Sequence, residues 1–252
     1  MRRLAGDYQG SLAELAAAAD LNARMMPVTA VTGQPRPMFG SVVDRAQGLF
    51  DGGLIAFGRA ETLLELGRFE EALASVDAAA ELFRQGVQSG RNGPSDRRMA
   101  ARVPTLRSAV LLRLGRTDLA VREAQTAVSR CTQNTVDGSA TAQRDLAEAH
   151  QRLGQALQAR GDRASALAAF EAAVTTIDRA VAHDQTYLVI RVLLVQMLND
   201  FASSLRASGR SDEARTAFDR ARDVARQGLV EAPGWVRLDQ ERRRADAGVT
   251  GR

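Results

Sequence analysis

Two histidines, one cysteine and a large set of arginines carry whatever chemistry this 252-residue chain has to offer beyond packing. His150 or His183 could serve as a general base, and Cys131 as a nucleophile or metal ligand, given partners close enough to exchange protons. The sequence does not supply those partners. Both histidines fall at helix starts or ends within one segment, and neither can be placed beside Cys131 in space. There is no zinc-ligand spacing, no phosphate-cradling Gly loop and no Gly-x-Ser-x-Gly elbow. Asp137-Gly138-Ser139 reads as a turn. His150 is therefore expected to be a helix-packing or groove histidine, and Cys131 a small core or boundary residue. The chain is expected not to be an enzyme, and no cofactor or metal is expected.

All 34 basic residues are arginine, with no lysine. Guanidinium groups recognise carboxylates and phosphates, but a GC-rich genome favours Arg, Ala and Gly together, and that is the preferred explanation. The net charge is only +4. The arginines mostly alternate with Asp and Glu, as on solvated helix faces. Only Arg242–Arg244 form a run, so the basic stripe that nucleic-acid binding requires is missing. A single cysteine fits a reducing compartment. No stretch approaches the roughly 18 apolar residues of a membrane span. Asp7, Glu14 and Asp20 interrupt the Ala-rich segment after Arg2 and Arg3, which leaves no signal-peptide core. The expectation is a cytoplasmic chain with no membrane partner.

The elements that must position these side chains are announced by a spacing that occurs four times. It reads Ala60, Leu63, Gly67, Ala72, Val76, Ala79, then Ser108, Leu111, Gly115, Ala120, Ala124, Ala127. The third copy is Gly154, Leu157, Gly161, Ala166, Phe170, Ala173, and the fourth is Ala202, Leu205, Gly209, Ala214, Phe218, Ala221. Before each central Gly, apolar and small residues recur three and four apart, the period of a helix. The Gly suits a left-handed helix end. A second helix follows, with acidic first turns at Glu70 and Glu71, Asp118, or Asp212 and Glu213, which suit the positive end of the helix dipole. The first, fourth and last positions hold only Ala, Gly or Ser, and so allow two helix backbones to approach closely. Aromatic residues make up 4% of the chain, which agrees with such a core.

This arrangement resembles the tetratricopeptide repeat, with its Gly at the turn, Ala after the turn, and aromatic-then-Ala pair in the second helix. The third copy is nearest. The resemblance covers about residues 41–231 and has three departures. The early aromatic of the first helix is replaced by Ala56, Pro104, His150 and Leu198. The closing Pro is replaced by Arg84, Thr132, Asp178 and Arg226. The copies recur 48, 46 and 48 residues apart, against about 34 in the standard unit. The extra residues either lengthen both helices or fill the loops, with breaks expected at Gly86–Ser95, Thr132–Ser139 and His183–Thr186.

The expected fold is all-α: an α-α superhelix, or tetratricopeptide-like solenoid, of four helical hairpins plus an N-terminal half-repeat helix. Residues 1–26 form that helix, because Gly6-Asp7-Tyr8, Ser11, Leu15 and Ala18 match the turn and second helix of a unit. On this reading the chain is a fragment of a larger bacterial protein, although a lone N-terminal cap is the alternative. Residues 27–40 form a loop, 41–231 the repeats, and 232–252 a capping segment and tail. Trp235–Ala247 is expected as a short polar helix and Gly248–Arg252 as disordered.

The resemblance implies a concave face lined by first helices. It places Arg102, Thr105, Leu106 and Ala109 there from the second copy, and Glu148, Gln151, Arg152 and Gln155 from the third, with Gln158 beyond. The fourth copy contributes Gln196, Asn199, Asp200 and Ser203, with Arg206 beyond. Gln, Asn and Arg can hydrogen-bond a peptide backbone and carboxylates. Solvated polar residues are the plainer alternative. In the first copy Leu54, Phe57 and Gly58 occupy these places with Glu61; that apolar patch is either a peptide pocket or, as preferred, covered by residues 1–40 folding back. A carboxylate clamp of Lys, Asn and Arg is not supported. The implied function is a scaffold binding a protein or peptide partner. The alternative is the sensor or assembly region of a larger multidomain regulator or enzyme whose effector lies upstream. Self-association through Leu54 and Phe57, or through an uncapped end, is left open.

Overall fold

The computed structural model describes residues 7–25, 42–135, 139–183 and 188–250. Among these, the regular structure is ten α-helices: α1 (Tyr8–Met25), α2 (Val42–Glu65), α3 (Phe69–Gln88), α4 (Pro94–Arg113), α5 (Thr117–Gln133), α6 (Ala140–Arg160), α7 (Arg163–His183), α8 (Leu188–Ala207), α9 (Ser211–Glu231) and α10 (Val236–Thr250). The helices fall into two compact units, Met1–Leu114 and Gly115–Arg252. In the first, α2 packs on α3, with α1 and α4 alongside. In the second, α6 packs on α7 and α8 on α9, with α5 and α10 at either side.

The repeated spacing produces these elements through backbone geometry. Gly67, Gly115, Gly161 and Gly209 all have φ between 73° and 90°, where a Cβ would be strained. At Gly161, the Asp162 N–H donates back to the Leu157 carbonyl at 3.0 Å, closing the helix end. The same bond joins Arg68 to Leu63 and Arg210 to Leu205, so in these three copies the Leu of the pattern supplies the carbonyl that accepts it. The α6 start is set by Ser139, whose hydroxyl accepts from the Ala142 N–H at 3.3 Å. Helix lengths account for the long period. α6, α7 and α9 have 21 residues each and α8 has 20.

All twelve small positions are buried, as the close approach of paired helices requires. Gly154 shows why. A Cβ there would lie 2.7 Å from the Phe170 ring of α7. Gly53 meets Phe83, and Gly248 meets Phe218, in the same way. One core, in the first unit, gathers Phe57, Leu63, Val76, Phe83, Met99 and Val110. The other, in the second unit, gathers Phe218, Ile177, Ile190, Met197, Leu198 and Leu238.

Several expectations need correction. The C-terminal helix does not stop at Ala247 but continues to Thr250, because Gly248 lies against Phe218. Phe57 is covered by Arg102 of α4, whose guanidinium lies 5.0 Å from the ring centroid, while α1 meets α2 through Asn22, which donates to the Gly48 carbonyl at 3.1 Å, and through Ser11, whose hydroxyl lies 3.5 Å from that of Thr62. Leu54 remains 39% exposed. The expected 27–40 loop, the Asp137 and Gly138 part of the turn, Gly6 and the His183 side chain lie outside the described residues. Cys131 is a buried residue of α5, as read from the sequence.

Candidate binding surface

In the second unit the first-type helices α6 and α8 are joined by one carboxylate. Asp200 on α8 accepts hydrogen bonds at its Oδ2 from Gln151 Nε2 (2.8 Å) and Gln155 Nε2 (2.9 Å) of α6. Its Oδ1 accepts from Arg244 Nη2 of α10 at 2.7 Å. Beside it, Asn199 donates its amide to both the carbonyl and the carboxylate of Glu241, each at 3.0 Å. Ser203 closes onto the Asn199 carbonyl at 2.7 Å. These groups form a ladder from α6 through α8 to α10. A buried carboxylate is stable only when its lone pairs are met by donors, and Asp200 has three. Asn199 Oδ1, by contrast, is buried with no donor among the described residues.

Of the ten positions predicted from the sequence, the structure brings Gln151, Gln155, Asn199, Asp200 and Ser203 together in this ladder. Gln151 and Asn199 are buried within it. Arg152 is half-buried and donates through Nη1 to Gln155 Oε1 at 2.8 Å. Glu148, one turn earlier, lies 3.6 Å from Arg144 Nε. Gln196 is half-buried on α8. Arg206 is exposed, 5.4 Å from the Phe218 ring centroid. Arg102 belongs to the first unit, where it covers Phe57 and lies 3.7 Å from Glu61.

Sequence reasoning missed Glu241 and Arg244, which hold Asn199 and Asp200 from α10. The available signal was Gly248, a small residue suited to helix packing in an otherwise polar segment. His150 is half-buried on α6, and burial pushes its imidazole below the ordinary 6.5, because a charged ring would lose its water. It is neutral at pH 7. Among the described residues, no group of three or more His, Cys, Asp or Glu could hold a metal ion, and no helix is long and apolar enough to cross a membrane.

Residues 147–176, which span most of α6 and the first two-thirds of α7, match the family model described as tetratricopeptide repeat. The match covers one helical pair of this chain. Its fold is shared with BtubC (BKLC) from P. vanneervenii, at TM-score 0.61 and 13% identity, over 97% of this chain and 89% of that one. The apo form of RapI is similar at TM-score 0.53 and 10% identity, over 84% of this chain and 59% of that one. At these identities the likeness is one of fold: tetratricopeptide-like helical pairs. No curated protein is matched by the sequence.

Proposed function

We propose that this tetratricopeptide-repeat chain is a non-catalytic scaffold that binds a peptide segment of a protein partner along α6 and α8 of the second unit. The observation that carries this reading is the polar stripe Glu148, Arg152, Gln155 and Gln196, in which Gln155 is bonded to Asp200 and Arg152 to Gln155. Arg152 uses one of its five N–H donors on Gln155, and a guanidinium fork can take a carboxylate through two parallel bonds. Glu148 beside it offers an acceptor to a peptide N–H. The ladder holds Gln155 and, through it, Arg152, so the cost of ordering these two side chains is met on folding rather than on binding.

Asn199, Asp200 and Gln151 position this surface and are not its contacts, since the Asp200 carboxylate and the amide N–H groups of Gln151 and Asn199 are already engaged within the fold. The test uses an array of acidic twelve-residue peptides probed with the full chain, followed by titration of the strongest. Arg152→Ala should weaken binding about tenfold, the value of one charge-assisted bond, with unchanged helical circular dichroism. Gln196→Ala should weaken it less. Equal affinity in both variants would move the site away from α6 and α8.

A further inference from the structure

The first unit contains a groove unrelated to the peptide surface of the second. It runs between α1 and α3 over α2 and has a volume of about 860 Å³. Ala16, Ala19 and Ala23 form one wall and Ala74 and Ala78 the other, and all five are exposed. The equivalent gap between α7 and α9 is built differently. There Arg220 of α9 reaches Asp178 of α7 in an ion pair. Aligning the repeated spacing places Ala78 where α9 has Arg220, and Ala23 where α7 has Asp178. Two alanines thus leave open what an ion pair spans elsewhere.

We propose that this groove binds an amphipathic helix of about three turns from a protein partner, with a small apolar face and an acidic residue at one end. Three observations select that occupant. The lining stripe on α1 runs from Leu12 to Ala23, which is about 16 Å of helix at 1.5 Å per residue. A helix that long and about 10 Å across fills about 1,300 Å³, so the groove takes its inner part and leaves its polar face in water. An acyl chain, much thinner, would leave the groove partly empty, and unfilled space forfeits contact energy. Alanine walls admit a helix backbone closely, and helix-in-groove recognition works through such anchors at helical spacing. Finally, the groove is cationic at one end. Arg59 and Arg68 both line it with a single carboxylate, Glu71. Glu71 already takes two bonds from Arg68, at 2.7 and 2.6 Å.

The experiment titrates the full chain into a fluorescein-labelled helical peptide of fourteen residues, with Ala and Leu along one face and Glu in its first turn. Saturable anisotropy is expected, weakened at least tenfold by Arg59→Glu. The double variant Ala23→Asp, Ala78→Arg installs the ion pair found between α7 and α9 and should abolish binding. Both changes lie at exposed positions, and circular dichroism checks that the fold survives. Replacing the peptide Glu by Lys should also weaken binding tenfold. The proposal is overturned if the filled groove binds as well as the open one. It is overturned equally if dodecanoate displaces the peptide, which would assign the groove to lipid-like carboxylates. A dimer in light scattering that separates on filling the groove would give it to a second copy of the chain and also overturn the proposal. None of these results bears on Arg152 in the other unit.

Discussion

Single residues carry more of this fold than their size suggests. Glycine inside a helix ordinarily costs about 0.5–1 kcal/mol against alanine, so Gly154→Ala would stabilise an isolated helix. Here the new methyl would meet the Phe170 ring at 2.7 Å, and overpacking costs about 1–3 kcal/mol. Gly154→Ala should therefore lower stability in urea, while Gly154→Ala with Phe170→Leu should recover most of the loss. Titration adds a second prediction. Because His150 is held below 6.5 when folded, its contribution to stability is full above that pH. It is lost as pH falls through the folded value, where the unfolded chain binds the proton more readily. Glu81 is held at about 2 by bonds from Arg84 and Gln85, so its effect falls between 4.5 and 2 and is small because the pair is exposed. Melting followed from neutral to acid pH should show two declines. His150→Gln should remove the upper one and leave the lower.

At the scale of the helix, α10 is the element on which the surface ladder depends. It is polar along most of its length and is anchored by Leu238, fully buried against Gly228 of α9, and by Ala245. Leu238→Ala should cost about 2–5 kcal/mol and loosen Arg244 and Glu241 from Asp200 and Asn199. Faster amide exchange in α10, with α6 and α7 unaffected, is the expected readout. This helix also shows where reading the sequence reached its limit. The pairs α2–α3, α6–α7 and α8–α9 were legible because spacing, turn glycines and small seams lie within about fifty residues and repeat. Glu241 and Arg244 meet partners 42 and 44 positions away, outside any repeated pattern. Gln151, Gln155, Asn199, Asp200 and Ser203 were named as candidates for one face by resemblance. Their mutual bonding was not legible, because hydrogen bonds between neighbouring repeats depend on rotation and register that spacing leaves undefined. Arg102, a candidate ligand contact by position, lies over the Phe57 ring at 5.0 Å from its centroid, a contact that helix spacing does not announce.

For the molecule as a whole, stability in a repeat array is a sum of units and nearest-neighbour interfaces. Opening therefore should not be uniform. Among the described residues of the first unit, α1 packs on α2 and leaves Leu21 59% exposed, whereas α3 packs on both α2 and α4. Native-state hydrogen exchange should show α1 opening at lower free energy than α3. The groove peptide proposed above should slow α1 selectively, because it would give that helix a second neighbour.

The pairing of a bare backbone with a ring, Gly53 with Phe83, Gly154 with Phe170 and Gly248 with Phe218, constrains how this sequence can change over generations. Bulk added on one side must be surrendered on the other. Drift along these contacts therefore proceeds by compensated double steps, and a deep set of descendants should record each pair as two correlated columns whose summed volume stays nearly constant.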